Sequence, residues 1–241
     1  MKGEPLPLQR STASELMDDP ARTPPELRAT LRDLGRINRF LGGHAIVRAY
    51  LDRILPVWRA RRASGRDSLT LLDVATGGAD VPIAAVAWGE RRGIPVRVVA
   101  VDHHPTIVRL ARANVASHPS ITVIQGDART LPFADGSFDV CLCSLALHHL
   151  TPDEGLALLG HLDRLARIGF MAADLLRCAS GYGGTWLVTR FFSPLIRHDG
   201  PLSVRRALSW GEYLRLAEAT RIPGIRVMRQ PFFRVALARI G

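Results

Sequence analysis

Apolar residues follow two rhythms along the chain. Leu27, Leu31, Leu34, Ile37 and Leu41 recur at spacings of three and four, which predicts one amphipathic helix opening at Thr23-Pro24-Pro25-Glu26. Gly42-Gly43 stops it. Ile46, Val47, Tyr50, Leu51, Ile54 and Leu55 predict a second helix from His44 to about Arg62. From residue 69 the pattern changes to short, nearly continuous apolar runs. These predict strands at 69–74, 96–101, 121–125, 138–144 and 168–173, alternating with helices at 79–92, 105–116 and 152–167. Proline opens the second and third of these helices, where its missing N–H costs nothing, and Thr151-Pro152-Asp153-Glu154 adds a capping box. Such alternation is the signature of a parallel sheet covered on both faces.

Residues 175–208 break the rhythm. They are rich in Gly, Trp, Phe and Leu and contain Arg197-His198-Asp199-Gly200-Pro201, which reads as a turn. A second capping box, Ser209-Trp210-Gly211-Glu212, opens a helix to about 220. Strands at 225–229 and 232–238 follow, joined by a tight hairpin at Gln230-Pro231, so that one edge strand is antiparallel. The expected fold is α/β, a doubly wound and mostly parallel sheet of seven strands. Residues 1–66 form a helical cap or lid, 67–241 the ligand-binding domain, and 175–208 an insertion on the substrate side. Residues 1–20 are polar, proline-bearing and without apolar period, and are expected to be mobile.

The 241 residues, 47% hydrophobic and 22% charged, suffice for one large core. No apolar run reaches about 18 residues and the N-terminus lacks a signal-peptide core, so a cytoplasmic chain is expected. Cys141, Cys143 and Cys178 make no disulfide framework and lack zinc-site spacing; they read as small buried hydrophobes, and no metal site is expected. Net charge is +10, and Lys2 is the only lysine among 32 basic residues. The arginines are scattered through predicted helices with no long basic run interleaved with aromatics. That favours a solvated arginine-rich surface over a nucleic-acid groove, and leaves peripheral contact with an anionic membrane open.

The chemistry gathers at the carboxyl ends of the strands, where open α/β sheets bind ligands. Asp73 ends the first strand, and Ala75-Thr76-Gly77-Gly78-Ala79 then turns the chain with almost no side-chain bulk, which exposes backbone N–H groups ahead of a helix. The GxGxxG dinucleotide fingerprint is absent. Asp102 ends the second strand, where an acid can accept both hydroxyls of a ribose. Gly126-Asp127-Ala128 follows the third, placing Asp127 to accept from an exocyclic amine. Ser144 ends the fourth strand, with His148-His149 just beyond, and Asp174 ends the fifth.

LLDVATGGADV, AVDHHP, IQGDA, FDVCLCSLALHHL and the late hairpin together resemble the class I S-adenosylmethionine-dependent methyltransferases, well over 68–174 and in pattern over 209–238. The departure is Ala75 and Ala79, where that family's first motif carries glycine; alanine is small enough to keep the turn. The resemblance implies a Rossmann-like methyltransferase fold with S-adenosylmethionine as cofactor and S-adenosylhomocysteine as product. Asp73, Ala75, Gly77 and Gly78 would lie under the methionine half. Asp102, with His103, would hold the ribose; Gly126, Asp127 and Ala128 would meet the adenine; Ser144 and Leu145 would lie beside the sulfonium. ELMDDP…LRDLGRINRFLGG and RHDGPLSVRRA further resemble small-molecule methyltransferases associated with bacterial type III polyketide synthases, which implies a phenolic, partly apolar acceptor.

A phenol, with a pKa near 10, profits from a base poised near neutrality. His148 and His149, with Asp174 beside them, supply an oriented imidazole; successive residues of a helical turn point about 100° apart, so only one of the two is expected to face the substrate. His198 with Asp199 is a second base candidate. Trp186, Phe191 and Phe192 are expected to line the acceptor pocket. The sequence leaves oxygen and carbon methylation both open, together with monomer or homodimer. A nucleic-acid methyltransferase is less favoured, because Ser144-Leu145-Ala146-Leu147 stands where an Asn-Pro-Pro-Tyr type motif would be. A catalytically idle cofactor-binding domain remains a third class.

Overall fold

A computed structural model describes residues 8–19, 21–61 and 67–241. The loop expected at Ser64-Gly65-Arg66, the end of the second helix at Arg62 and the first seven residues lie outside the described residues. Helices α1 (Pro24–Phe40) and α2 (Gly43–Arg61) come first. Thr23 and Glu26 cap α1 reciprocally, as the Thr-Pro-Pro-Glu run dictates. Then β1 (Leu69–Val74), α3 (Asp80–Glu90), β2 (Val96–Asp102), α4 (Pro105–Asn114), β3 (Ile121–Gln125) and β4 (Phe138–Ser144) alternate, followed by α5 (Pro152–Leu165) and β5 (Ala166–Leu175). The chain closes with α6 (Ala179–Thr189), α7 (Pro194–Arg206), α8 (Trp210–Thr220), β6 (Arg226–Gln230) and β7 (Arg234–Ile240).

The seven strands lie in the order β3-β2-β1-β4-β5-β7-β6, and only β7 runs against the direction of the other six. The central strands β1, β4 and β5 are buried on both faces, which is why their sequences read as nearly continuous apolar runs, while the edge strands β3 and β6 are partly exposed. Alternate side chains feed two cores. Val140 and Leu142 pack with α2, α3 and α4 on one face, while Cys141 and Cys143 pack with α5 and α8 on the other. The thiols of Cys141 and Cys143 are buried and pushed far above the ordinary cysteine range. The strand order reverses between β1 and β4, and the crevice at that switch point is where doubly wound sheets take their ligands. No helix among the described residues is long and apolar enough to cross a membrane.

Two expectations need correction. Arg197-His198-Asp199-Gly200-Pro201 is not a turn but the middle of α7. Gly200 serves helix packing: a Cβ there would meet Cγ2 of Thr189 at 2.6 Å, so only glycine lets α7 approach α6 this closely. Residues 8–19 form a strap laid across the sheet's carboxyl edge. Arginines hold it by its carbonyls: Arg177 donates to Leu8 O and Arg206 Nη1 to Ala13 O (2.7 Å). The carboxylate of Asp199, at the centre of α7, accepts from the N–H groups of Leu16 (2.8 Å) and Met17 (2.9 Å).

Candidate active site

Above the carboxyl ends of β1, β2, β4 and β5 lies a cavity of about 630 Å³. The inner face of α1 (Leu31, Leu34, Ile37) and the small residues of α6 (Gly184, Val188) roof it, and the strap closes one side.

At one end the β1–α3 turn forms the floor. Ala75, Gly77 and Ala79 have φ of 54°, 54° and 60°. The turn therefore survives the two alanines, but each stands in the left-handed region at a cost of about 1 kcal/mol relative to glycine. Asp73 is buried and accepts from Thr76 Oγ1 at 2.6 Å. Burial first, then the charges of Asp80 and Asp102, push its carboxyl up to about 8. Asp102 accepts from Gly77 N (2.9 Å) and His104 N (3.0 Å). A carboxylate offers about four lone-pair sites, so half of its capacity remains for a diol. His103 is exposed beside it, and His104 caps α4 through Nδ1. Asp127 lines the same end, with Gly126 and Ala128. Arg129 grips it with three side-chain contacts of 2.8–3.2 Å, and this pairing holds its carboxyl down at about 2.

The other end is built from parts far apart in sequence. Ser144 closes β4, and Leu145 takes φ 56° with its N–H on Ala173 O (2.8 Å). A single 3₁₀ turn, Leu147–His149, then brings both histidines to the cavity. His148 is buried; its Nδ1 lies 2.7 Å from Asp174 Oδ1, and its Nε2 lies 3.4 Å from Glu15 Oε1. Burial opposes its charge, but Asp174 and Glu15 prevail and push His148 up to about 10. Of the two histidines, His148 is the one that Asp174 orients, and these two carboxylates favour its charged form. His149 is the freer one: Nδ1 is 3.2 Å from Asp18 Oδ2, and Nε2 faces Glu15 Oε2 at 3.8 Å. Both histidines line the cavity, where only one was expected to.

Glu15 holds this wall together. Its Oε1 accepts from Ser203 Oγ at 2.7 Å, and burial of the carboxyl is outweighed by His148, His149 and Ser203, which hold it below the usual range. The donor atoms of Glu15, His148 and His149 lie within 4.8 Å of one another.

Other sequence candidates fall outside. His198 is half exposed, pairs with Asp199 (2.8 Å) and faces an outer depression beside Trp186 and Arg190. Trp186 and Phe191 point outward, and neither they nor Phe192 line the cavity. The α6 face turned inward is 184, 185, 188 and 189 instead. Sequence reading passed over Glu15, Asp18, Ser203, Arg206 and Arg234. Arg234, at the start of β7, is buried in the cavity wall, bonded to Leu41 O (3.0 Å) and Asn38 Oδ1 (3.1 Å). Among the described residues no carboxylate lies within ion-pair distance of it, and burial lowers its pKa.

Residues 71–169 match the family model described as a methyltransferase domain. A methyltransferase of Synechocystis, named as uncharacterized, is 32% identical over 127 residues, 52% of either chain. A demethylmenaquinone methyltransferase of Lysinibacillus sphaericus is 30% identical over 172 residues, 70% of either chain. The chain thus spans about half the length of the first relative and more of the second. An O-methyltransferase family 2 protein from Planctomyces limnophilus, solved in complex with apigenin, shares the fold at 15% identity, with a TM-score of 0.63 over 92% of this chain and 62% of that one. The sequence likeness reaches well past the matched domain into flanking elements, and the chain belongs to the class I S-adenosylmethionine-dependent methyltransferases.

Proposed function

We propose that this chain methylates the oxygen of a phenolic, partly apolar small molecule of the polyketide type. The observation that carries this reading is the single cavity that joins the Asp102 end to a wall of imidazole and carboxylate groups between apolar surfaces. The small-residue turn fits a cofactor: Ala75, Gly77 and Gly78 line the cavity with little or no side chain, and Asp102 keeps lone pairs for ribose hydroxyls. Asp73, Ala75, Gly77 and Gly78 would hold the methionine half, with Arg234 as a cation for its carboxylate. Asp102 and His103 would hold the ribose, Gly126, Asp127 and Ala128 the adenine, and Ser144 and Leu145 the region around sulfur. When bound, S-adenosylmethionine supplies an activated methyl group.

The remaining work belongs to this chain's side chains. His149, oriented by Asp18, accepts the phenolic proton at Nε2. His148, held as an imidazolium by Asp174 and Glu15, supplies a fixed positive charge beside the developing phenolate. The strap and α1 exclude water and align the acceptor, and alignment accounts for much of the rate in an in-line transfer. The flavonoid bound by the Planctomyces protein and the aromatic quinone precursor named for the Lysinibacillus relative support an aromatic acceptor. The second of these also supports a runner-up, carbon methylation of a similar ring, since an ionised phenol activates ring carbon as well as oxygen.

Incubation with methyl-labelled cofactor and a panel of long-chain resorcinols tests the reading. The expected product is the aryl methyl ether. Label on ring carbon selects the runner-up, and cofactor binding without transfer to any phenol overturns the acceptor class.

A further inference from the structure

The roof of the cavity has an outer surface as well as an inner one. On α1 the exposed residues Arg28, Arg32, Arg36 and Arg39 recur at spacings of four, four and three, so they form one stripe that ends at Phe40. Between 28 and 40 the only acid is Asp33, which is buried, accepts from Ser193 N (2.9 Å) and pairs with Arg36 (3.4 Å), so that Arg28, Arg32 and Arg39 have no acid on their own helix between these positions. The bond from Ser193 ties the middle of α1 to the α6–α7 turn. On α6, Trp186, Leu187 and the following Phe191 face outward, Phe191 at 86% exposure. The β6–β7 turn fills the gap: a Cβ on Gly42, just past α1, would meet the Phe232 ring at 3.1 Å, and one on Gly184 of α6 would meet the Phe233 ring at 3.4 Å. Of the eight large hydrophobic side chains exposed among the described residues, Phe40, Trp186, Leu187 and Phe191 lie on the outer side of these helices, and Phe232 and Phe233, which also line the mouth of the cavity, fill the gap between them. Scattered exposed apolar residues are normal, whereas a continuous patch marks an interaction surface.

We propose that this face docks on an anionic lipid bilayer. Apolar tips flanked by arginine are the composition that settles into a headgroup layer, with the rings below and the guanidinium groups at the phosphates. The same elements present Leu31, Val188 and Phe233 to the cavity, so the docked roof puts the acceptor end one wall away from the lipid. This orientation rests on the apolar-acceptor reading only for what enters the cavity; the docking itself does not. Single-stranded nucleic acid also seeks arginine and rings, but it needs open ring faces to stack on. Here Arg39 lies over Phe40 (5.5 Å) and Arg190 over Trp186 (4.2 Å), which takes a face of two of the five rings, Phe232 and Phe233 are packed into the gap between α1 and α6, and Leu187 offers no ring, so lipid is the better match.

Co-sedimentation of the full chain with vesicles of phosphatidylcholine alone, or mixed with phosphatidylglycerol, tests the proposal without any acceptor. Binding is expected to be at least tenfold stronger to the phosphatidylglycerol vesicles and to weaken with salt. The pair Leu187→Asp/Phe191→Asp and, separately, Arg28→Glu/Arg32→Glu are each expected to weaken it about tenfold or more, with S-adenosylhomocysteine affinity unchanged as proof of folding. The arginine pair lies on another helix and decides the matter if the first pair does not fold. Failure to bind phosphatidylglycerol vesicles overturns the proposal. So does a single-stranded RNA oligonucleotide that binds more tightly than the vesicles and is weakened by the same substitutions. A chain that binds vesicles but methylates no phenol keeps the docking surface and loses only the acceptor reading.

Discussion

The two ends of the cavity are made in opposite ways. At the cofactor end the β1–α3 turn is held by short-range links, Thr76 to Asp73 three residues apart and Gly77 N to Asp102 25 apart, and the long reach is that of Arg234 in the wall, 193 and 196 residues from its partners Leu41 and Asn38. At the acceptor end Asp18 meets His149 across 131 residues, Leu16 meets Asp199 across 183, and Glu15 meets Ser203 across 188. The first end is a local consequence of the sheet's edge. The second exists only when the strap, the turn after β4 and α7 have all docked. A binding site of the first kind persists when the second is disturbed, and that separation can be attacked experimentally.

The harshest test of it is His149→Ala, expected to lower kcat by roughly 10²–10⁴-fold while leaving cofactor affinity alone. Steady-state kinetics at saturating cofactor checks this, and an unchanged kcat removes the base assignment. Glu15→Gln takes a buried charge from between two imidazoles. It is expected to destabilise the fold by about 1–3 kcal/mol in chemical denaturation, because the amide keeps an acceptor for Ser203 but removes the charge that faces both imidazoles, leaving His148 to Asp174 and His149 to Asp18. A stability equal to that of the parent chain means the strap contributes nothing to the acceptor end.

Acidity gives a gentler probe. His148 titrates higher folded, at about 10, than unfolded, near 6.5. Its contribution is therefore complete below pH 6.5 and is lost as pH rises through 10. Asp73, raised to about 8, adds a loss of the same sign that begins lower. The melting temperature should fall steadily from pH 7 to pH 10, and His148→Gln should flatten the upper part of that fall. The smallest effect belongs to the cofactor turn. At Ala75 glycine relieves about 1 kcal/mol of left-handed strain but returns about 0.7 kcal/mol of chain entropy to the unfolded state. Ala75→Gly should leave stability within about 0.5 kcal/mol, measurable against the clear loss that the same change causes inside a helix such as α5.

The local end was also the legible one. Runs such as Leu69–Val74 and Phe138–Ser144 announce strands buried on both faces, and Asp73, Asp102 and Asp127 stand at their ends because the sheet's carboxyl edge is where polar groups face a ligand. Even the odd feature, alanine for glycine, could be read and its outcome anticipated. The strap could not. Residues 8–19 have no period, since side-chain guanidinium groups rather than a buried face hold them in place. Glu15 and Asp18 therefore stood in a stretch expected to be mobile, with no role of their own. Asp199 and Gly200 were legible as chemistry but not as structure: an Asp-Gly-Pro run says turn, and it took Thr189 from α6 and the strap's N–H groups to make it helix. The same docking turned His198 and Trp186 outward, away from the role their chemistry suggested.

Calorimetry of S-adenosylhomocysteine binding to Asp102→Ala and His149→Ala, side by side with the parent chain, tests the division most directly. Removing two charge-assisted hydrogen bonds should weaken binding about a hundredfold in Asp102→Ala and hardly at all in His149→Ala. Equal losses in both variants, or full affinity in Asp102→Ala, would contradict it.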